Sequence, residues 1–152
     1  MRIEKLFKAS ENGFRAAAFH EKCDNISDTL VLVRTEFGKT IGGFTHYPWL
    51  PKSPEWFSDA GRRAFIFSLD MQEKFVPISN KLIFNLDDYG PVFGGGGGGF
   101  DICIRDGCNN KNNSFCNFPS GYNRAGGNKL EMNQESWKLL CGTTNGFYFK
   151  VE

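Results

Sequence analysis

Sixteen phenylalanines in 152 residues constrain this chain most. They fall in short alternating or continuous apolar runs bounded by Gly, Asn and Pro, the texture of strands folding back and forth against a core. A chain of this length buries roughly two thirds of its unfolded surface around one core. The expectation is therefore a single domain over residues 1–152, without a second unit or an internal repeat.

The local reading follows from periodicity and punctuation. Asn12 is placed to cap a helix running to about Cys23, with Ala16, Phe19 and Cys23 recurring on one face. Thr29-Leu30-Val31-Leu32-Val33-Arg34-Thr35 is rich in β-branched residues. It turns through Glu36-Phe37-Gly38-Lys39 into Thr40-Ile41-Gly42-Gly43-Phe44-Thr45, a hairpin with Gly38 in the left-handed region. Prolines between His46 and Pro54 bar a central strand, and Ser53-Pro54-Glu55 suits the first turn of a short helix, with Trp49, Trp56 and Phe57 packed beneath.

Ala64 to Leu69 and Lys81 to Leu86 read as antiparallel neighbours across a polar loop. Phe100 to Asp106 alternates, which predicts Phe100, Ile102 and Ile104 on one face and charges on a wet face. Residues 107–133 are dense in Asn, Gly, Ser and Lys and too polar for regular structure, with Phe115 and Phe118 as anchors. Asn133 to Leu140 suits a helical turn, and Gly146 to Val151 returns to strand. The fold class expected is mainly β: a two-sheet, mostly antiparallel sandwich with a few short flanking helices, the first of them across one side.

Charge and cysteine usage narrow the function classes. With 18 basic and 17 acidic side chains the formal net charge is +1, and the lysines do not form a stripe interleaved with stacking aromatics, so nucleic acid is not an expected partner. No apolar run reaches membrane-spanning length and Met1-Arg2-Ile3-Glu4-Lys5 lacks the apolar centre of a leader, so the chain is expected in the cytoplasm without membrane insertion. The five cysteines include no CxxC pair, which argues for reduced thiols and for no metal or other cofactor.

Sharper chemistry is suggested at a few places, each with a blander counterpart. The Gly94 to Gly99 run can form an anion nest, but it enters a strand and carries no GK[ST], so a flexible turn is expected. Ser68 or Ser120 with His20 or His46 forms no recognisable nucleophile motif, and Asp87, Asp88, Asp101 and Asp106 are expected as turn and strand carboxylates rather than catalytic pairs. Cys108 and Cys116 are expected in an exposed polar loop near Arg105 and Lys111, which would favour thiolate and supports an alternative reading as a redox-active or oxidant-sensing protein.

Several stretches together resemble the TLDc domain: Gly13-Phe14 with Phe19-His20, the Thr29 to Val33 run, Gly38-Lys39-Thr40-Ile41-Gly42-Gly43-Phe44, and Phe65-Ile66-Phe67-Ser68-Leu69. The sharpest is Tyr89-Gly90-Pro91-Val92-Phe93-Gly94-Gly95 followed by Phe100-Asp101-Ile102, similar to the family's YGPxFGGG stretch. The texture is closest to protist members. The resemblance implies a β-sandwich, an association with oxidative-stress protection, and protein partners, in several members the vacuolar proton ATPase. The family commonly continues past Phe149-Lys150-Val151-Glu152 into a final acidic-aromatic strand, so the resemblance implies one edge that is either incomplete or supplied by a partner.

The function expected is accordingly a non-catalytic interaction module, or a structural subunit of a large assembly. Its candidate contact residues are Tyr89, Pro91, Phe93, Gly94 and Gly95 on the glycine loop and Phe115 and Phe118 on the Asn-rich loop, because loops on a rigid scaffold commonly carry binding.

Overall fold

A computed structural model describes the chain apart from residues 1, 51–54, 59–60, 62, 97–98, 145 and 147. Its described strands form two antiparallel sheets. The five-stranded sheet contains β1 (Thr29–Arg34), β2 (Thr40–Thr45), β4 (Ala64–Ser68), β5 (Glu73–Pro77) and β10 (Tyr122–Asn123), in the order β1-β2-β4-β5-β10. The six-stranded sheet contains β3 (Glu55–Ser58), β6 (Lys81–Asn85), β7 (Tyr89–Phe93), β8 (Ile102–Arg105), β9 (Ser114–Phe115) and β11 (Tyr148–Phe149), in the order β11-β9-β8-β7-β6-β3. Helices α1 (Ala9–Asn12), α2 (Ala16–Cys23) and α3 (Gln134–Cys141) flank them.

The β1–β2 hairpin follows its sequence closely. Gly38 sits at φ 75°, a conformation that costs glycine nothing, and Val31 pairs with Gly43. Alternation then sends Ile41, Ile66 and Phe75 of one sheet and Ile83, Phe93 and Ile102 of the other into the core, where all are buried. Gly43 lets the sheets approach: a Cβ there would lie 2.6 Å from the Phe93 ring. Trp49 is fully buried, edge-on to Phe19 at 5.5 Å and Phe93 at 5.6 Å. Its indole Nε1 donates to Thr29 Oγ1 at 3.0 Å, so its polar edge is satisfied. A polar tie between the sheets comes from Tyr122, whose hydroxyl donates to Leu82 O at 2.8 Å.

Tertiary contacts complete the helix ends. The Ala16 amide, at the start of α2, donates to Asp106 Oδ1 at 3.0 Å, and Arg15 Nε donates to the same oxygen at 2.8 Å. Burial pushes the Asp106 carboxyl up, but the Ala16 amide and the Arg15 and Lys111 charges outweigh it and hold it below its usual range. His20 ties α2 to the β6–β7 turn, with Nδ1 2.7 Å from Asp24 and Nε2 2.8 Å from Tyr89 O. Helix α3 is capped locally: Asn133 Oδ1 accepts from Ser136 N at 3.0 Å, and Gly142 ends it at φ 84°.

The structure departs from expectation where long-range pairing decides. The first helix is split, because Gly13 ends α1 at φ 99°. Asn12 accepts from the Lys8 amide at 2.9 Å instead of capping α2. Residues 73–77, expected in a polar loop, form β5 against β4 with Ile66 opposite Phe75. Strand β6 lies in the other sheet, so the two apolar runs at 64–69 and 81–86 are not neighbours. Trp56 and Phe57 belong to strand β3 rather than to a helix, while Ser53 and Pro54 lie outside the described residues.

Strand β8 is wet only at Arg105, since Cys103 and the preceding Asp101 are fully buried along with Ile102. The Asn-rich segment is not a loose loop either. Cys108, Ser114, Cys116, Phe118 and Tyr122 are buried, β9 and β10 come from it, and polar groups such as Asn123, which bonds both the amide and the carbonyl of Leu130, satisfy its backbone.

Candidate partner-binding surface

Aromatic rings cover the outer face of the six-stranded sheet. Trp56 on β3 is opposite Phe84 on β6, one position out of phase with the core residue Ile83 and with Phe57, which packs against the core. The rings touch at a centroid distance of 4.8 Å. Phe100 stacks beside them, 5.3 Å from Phe84 and 5.4 Å from Trp56. The row continues to Phe115 on β9 at 5.8 Å and from there to Tyr148 on β11 at 6.2 Å. Tyr89 of β7 joins at 6.2 Å from Phe100. Beneath this layer Val92 and Cys103 are paired across β7 and β8 and fully buried. Tyr148 remains 46% exposed, and Trp56, Phe84, Tyr89, Phe100 and Phe115 are partly exposed.

Two cations lie on these rings. Lys81 Nζ is 5.1 Å above Trp56, and the Arg105 guanidinium is 4.1 Å above Tyr89, where Nη1 donates to the Tyr89 hydroxyl at 3.0 Å. Each contact of this kind is worth about 0.5–1 kcal/mol at an exposed site.

Phe100 reaches the outer face because the chain bends at Asp101. The Asp101 carboxylate is fully buried. Its Oδ1 accepts from Ser120 N at 2.6 Å and Tyr122 N at 3.3 Å, and its Oδ2 from Gly121 N at 2.6 Å. Burial pushes the carboxyl up to about 7, against the three amides, which favour the ionised form. Gly94 makes the fit possible, since a Cβ at that residue would fall 1.8 Å from Oδ2. The glycine turn is closed by Ser120 Oγ donating to Gly99 O at 2.8 Å and Ser79 Oγ donating to Gly95 O at 2.9 Å. The amides of residues 120–122 cradle the protein's own carboxylate beside this turn, which the sequence suggests would be flexible. Gly97 and Gly98 lie outside the described residues.

The model of the TLDc domain matches residues 1–140. The chain belongs to the TLDc family. That family is generally linked to oxidative-stress resistance. No curated protein matches the chain.

In this TLDc domain the residues expected to contact a partner fall into two groups. Tyr89 and Phe115 stand in the aromatic layer. Phe93 and Phe118 are core residues, Phe118 packing at 4.6 Å on Phe75. Pro91, Gly94 and Gly95 are buried, and Gly95 lies so close to the Trp56 indole that a Cβ would meet it at 2.0 Å. These five therefore shape the face from below instead of presenting it. Sequence reasoning misses Trp56, Phe84 and Tyr148 as surface residues, because only cross-strand register brings them together.

A second apolar area covers the outer face of the five-stranded sheet. Leu30 and Leu32 of β1 are 52% and 60% exposed. Beside them Phe44 stacks on Phe65 at 5.4 Å, and Lys74 Nζ sits 5.3 Å over Phe65. Among the described residues no helix is long and apolar enough to cross a membrane.

The thiols correct another expectation. Cys108 and Cys116 are buried instead of lying in an exposed loop, because the segment that carries them packs into the core. Burial pushes the Cys108 thiol up to about 11, away from the thiolate that an exposed loop would favour, and does the same to Cys23. All five thiols are free and buried. Native protein at pH 8 is therefore expected to leave them unlabelled by Ellman's reagent on a minutes timescale, with full labelling in guanidinium. Rapid native labelling of Cys108 or Cys116 would restore the redox reading. Of the residues weighed for hydrolysis, His46 pairs with Asp28 at 2.6 Å and His20 with Asp24 at 2.7 Å, Ser68 Oγ accepts from Met71 N, and Ser120 Oγ donates to Gly99 O.

Proposed function

We propose that this TLDc domain is a non-catalytic protein-interaction module that docks a partner on the aromatic outer face of its six-stranded sheet. The observation that carries the reading is the row of rings from Trp56 through Phe100 and Phe115 to Tyr148. An antiparallel sheet ordinarily turns polar side chains to water on this side, and Trp and Tyr are the residues that most often anchor interfaces. The rings are held by packing and by the Asp101 bend, so little conformational freedom is lost when a partner covers them. Family resemblance favours a large assembly of the vacuolar proton ATPase kind, in which the domain acts in oxidative-stress protection as a bound component.

The test is a pull-down of the purified peripheral sector of that ATPase on immobilised domain, with cross-linking mass spectrometry. Wild type is expected to retain it with cross-links near β3, β9 and β11. Tyr148→Glu and Phe115→Ser, checked for folding by circular dichroism, are expected to weaken retention about thirtyfold, the loss typical of a ring anchor. Retention equal to wild type by folded variants would remove this face from the function.

A further inference from the structure

We infer that the aromatic face takes an acidic partner: an extended protein segment whose carboxylates meet Lys81 and Arg105 while its apolar side chains lie on the rings. The inference rests on the docking role proposed above and adds the chemistry of what docks.

Charge complementarity carries it. Lys81 and Arg105 are the charges laid directly on the ring layer, and among the described residues neither forms an ion pair with a carboxylate. Three other arginines are answered internally: Arg15 by Asp106, Arg34 by Glu152, Arg124 by Glu73. Asp106, the acid next to Arg105, is taken by Arg15, Lys111 and the Ala16 amide. Asp87 and Asp88 are exposed in the turn before Tyr89.

Arg105 uses one donor on the Tyr89 hydroxyl. Its planar fork keeps further donors for a bidentate carboxylate, the strongest ordinary recognition of that group. The rings between the cations hold them apart by the Trp56–Phe84 and Phe84–Tyr89 contacts of 4.8 and 6.5 Å. An extended segment rises about 3.3 Å per residue, so the two carboxylates would stand roughly three to six residues apart. Single-stranded nucleic acid also favours rings beside cations. It fits less well, because these rings lean on one another and the chain as a whole carries a net charge of only +1.

Fluorescence anisotropy of labelled poly(Glu,Tyr) copolymer against the full chain tests the inference at low and physiological salt. Binding to wild type and to Lys129→Gln is expected to be equal. Binding to the Lys81→Gln/Arg105→Gln double variant is expected to be about tenfold weaker or more, with Arg105→Lys recovering some of the loss. Equal affinity for wild type and a double variant with wild-type circular dichroism would overturn the proposal. So would binding of poly(Lys,Tyr) or of oligouridine as tight as that of poly(Glu,Tyr). In the pull-down described above, loss with Tyr148→Glu but not with the double cation variant would keep the docking face and discard the acidic partner. Retention by both would discard the face itself.

Discussion

Asp101→Ala is expected to lower the unfolding free energy at pH 5 by about 3 kcal/mol or more. The substitution removes the acceptor of the Ser120, Gly121 and Tyr122 amides, and an orphaned buried donor costs about 1–3 kcal/mol. The carboxyl also writes a pH dependence into the fold. Its value rises from 3.8 to about 7 on folding, so between those values the folded state keeps a proton that the unfolded chain has released. The stability it contributes is fully present below about pH 4 and is lost as pH rises through 7, a swing of about 4 kcal/mol.

Denaturant melts between pH 4 and 8 measure both effects. Asp101→Asn, which cannot ionise, should flatten the slope that wild type shows. Identical slopes in the two proteins would mean that the amide cradle holds Asp101 ionised throughout and that burial does not control it.

The other large effect belongs to Gly42. A Cβ at this position would lie 2.0 Å from Val31 O on the neighbouring strand and 2.7 Å from the Phe67 ring. The ring can move, but the carbonyl belongs to the β1–β2 ladder, so Gly42→Ala has to push the paired strands apart. An expected loss of about 4 kcal/mol or more puts the variant near or beyond unfolding at ordinary temperature. Gly127→Ala serves as the control, since nothing lies within 4 Å of a Cβ there, and its melting point should stay within the range of a neutral surface change. A Gly42→Ala protein that melts with wild type would show that the strand spacing has slack where the packing has none.

How far the sequence can be read depends on the range of the interaction. The β1–β2 hairpin, the Asn133 cap of α3 and the strand at 64–68 rest on neighbours within a few residues, and periodicity reports those. Strand β5 escapes such a reading because only Phe75 and Pro77 of its five residues are buried, too weak a pattern until β4 and β10 flank it. Asp101 reads as the wet side of a strand because alternation places it there. Amides nineteen to twenty-one residues away capture its carboxylate and turn Phe100 outward instead.

The family and the two-sheet antiparallel class were therefore determined by the sequence alone, through its motifs and the period-two alternation of its apolar runs. Only the tertiary structure decided which side of the six-stranded sheet collects the aromatic rings, that the Asn-rich segment is packed, and that Cys108 and Cys116 are buried thiols. The reason is physical: alternation states that successive side chains point to opposite faces. Whether a face meets water, another sheet or a packed loop is settled by residues distant in the chain, whose register a single strand does not encode.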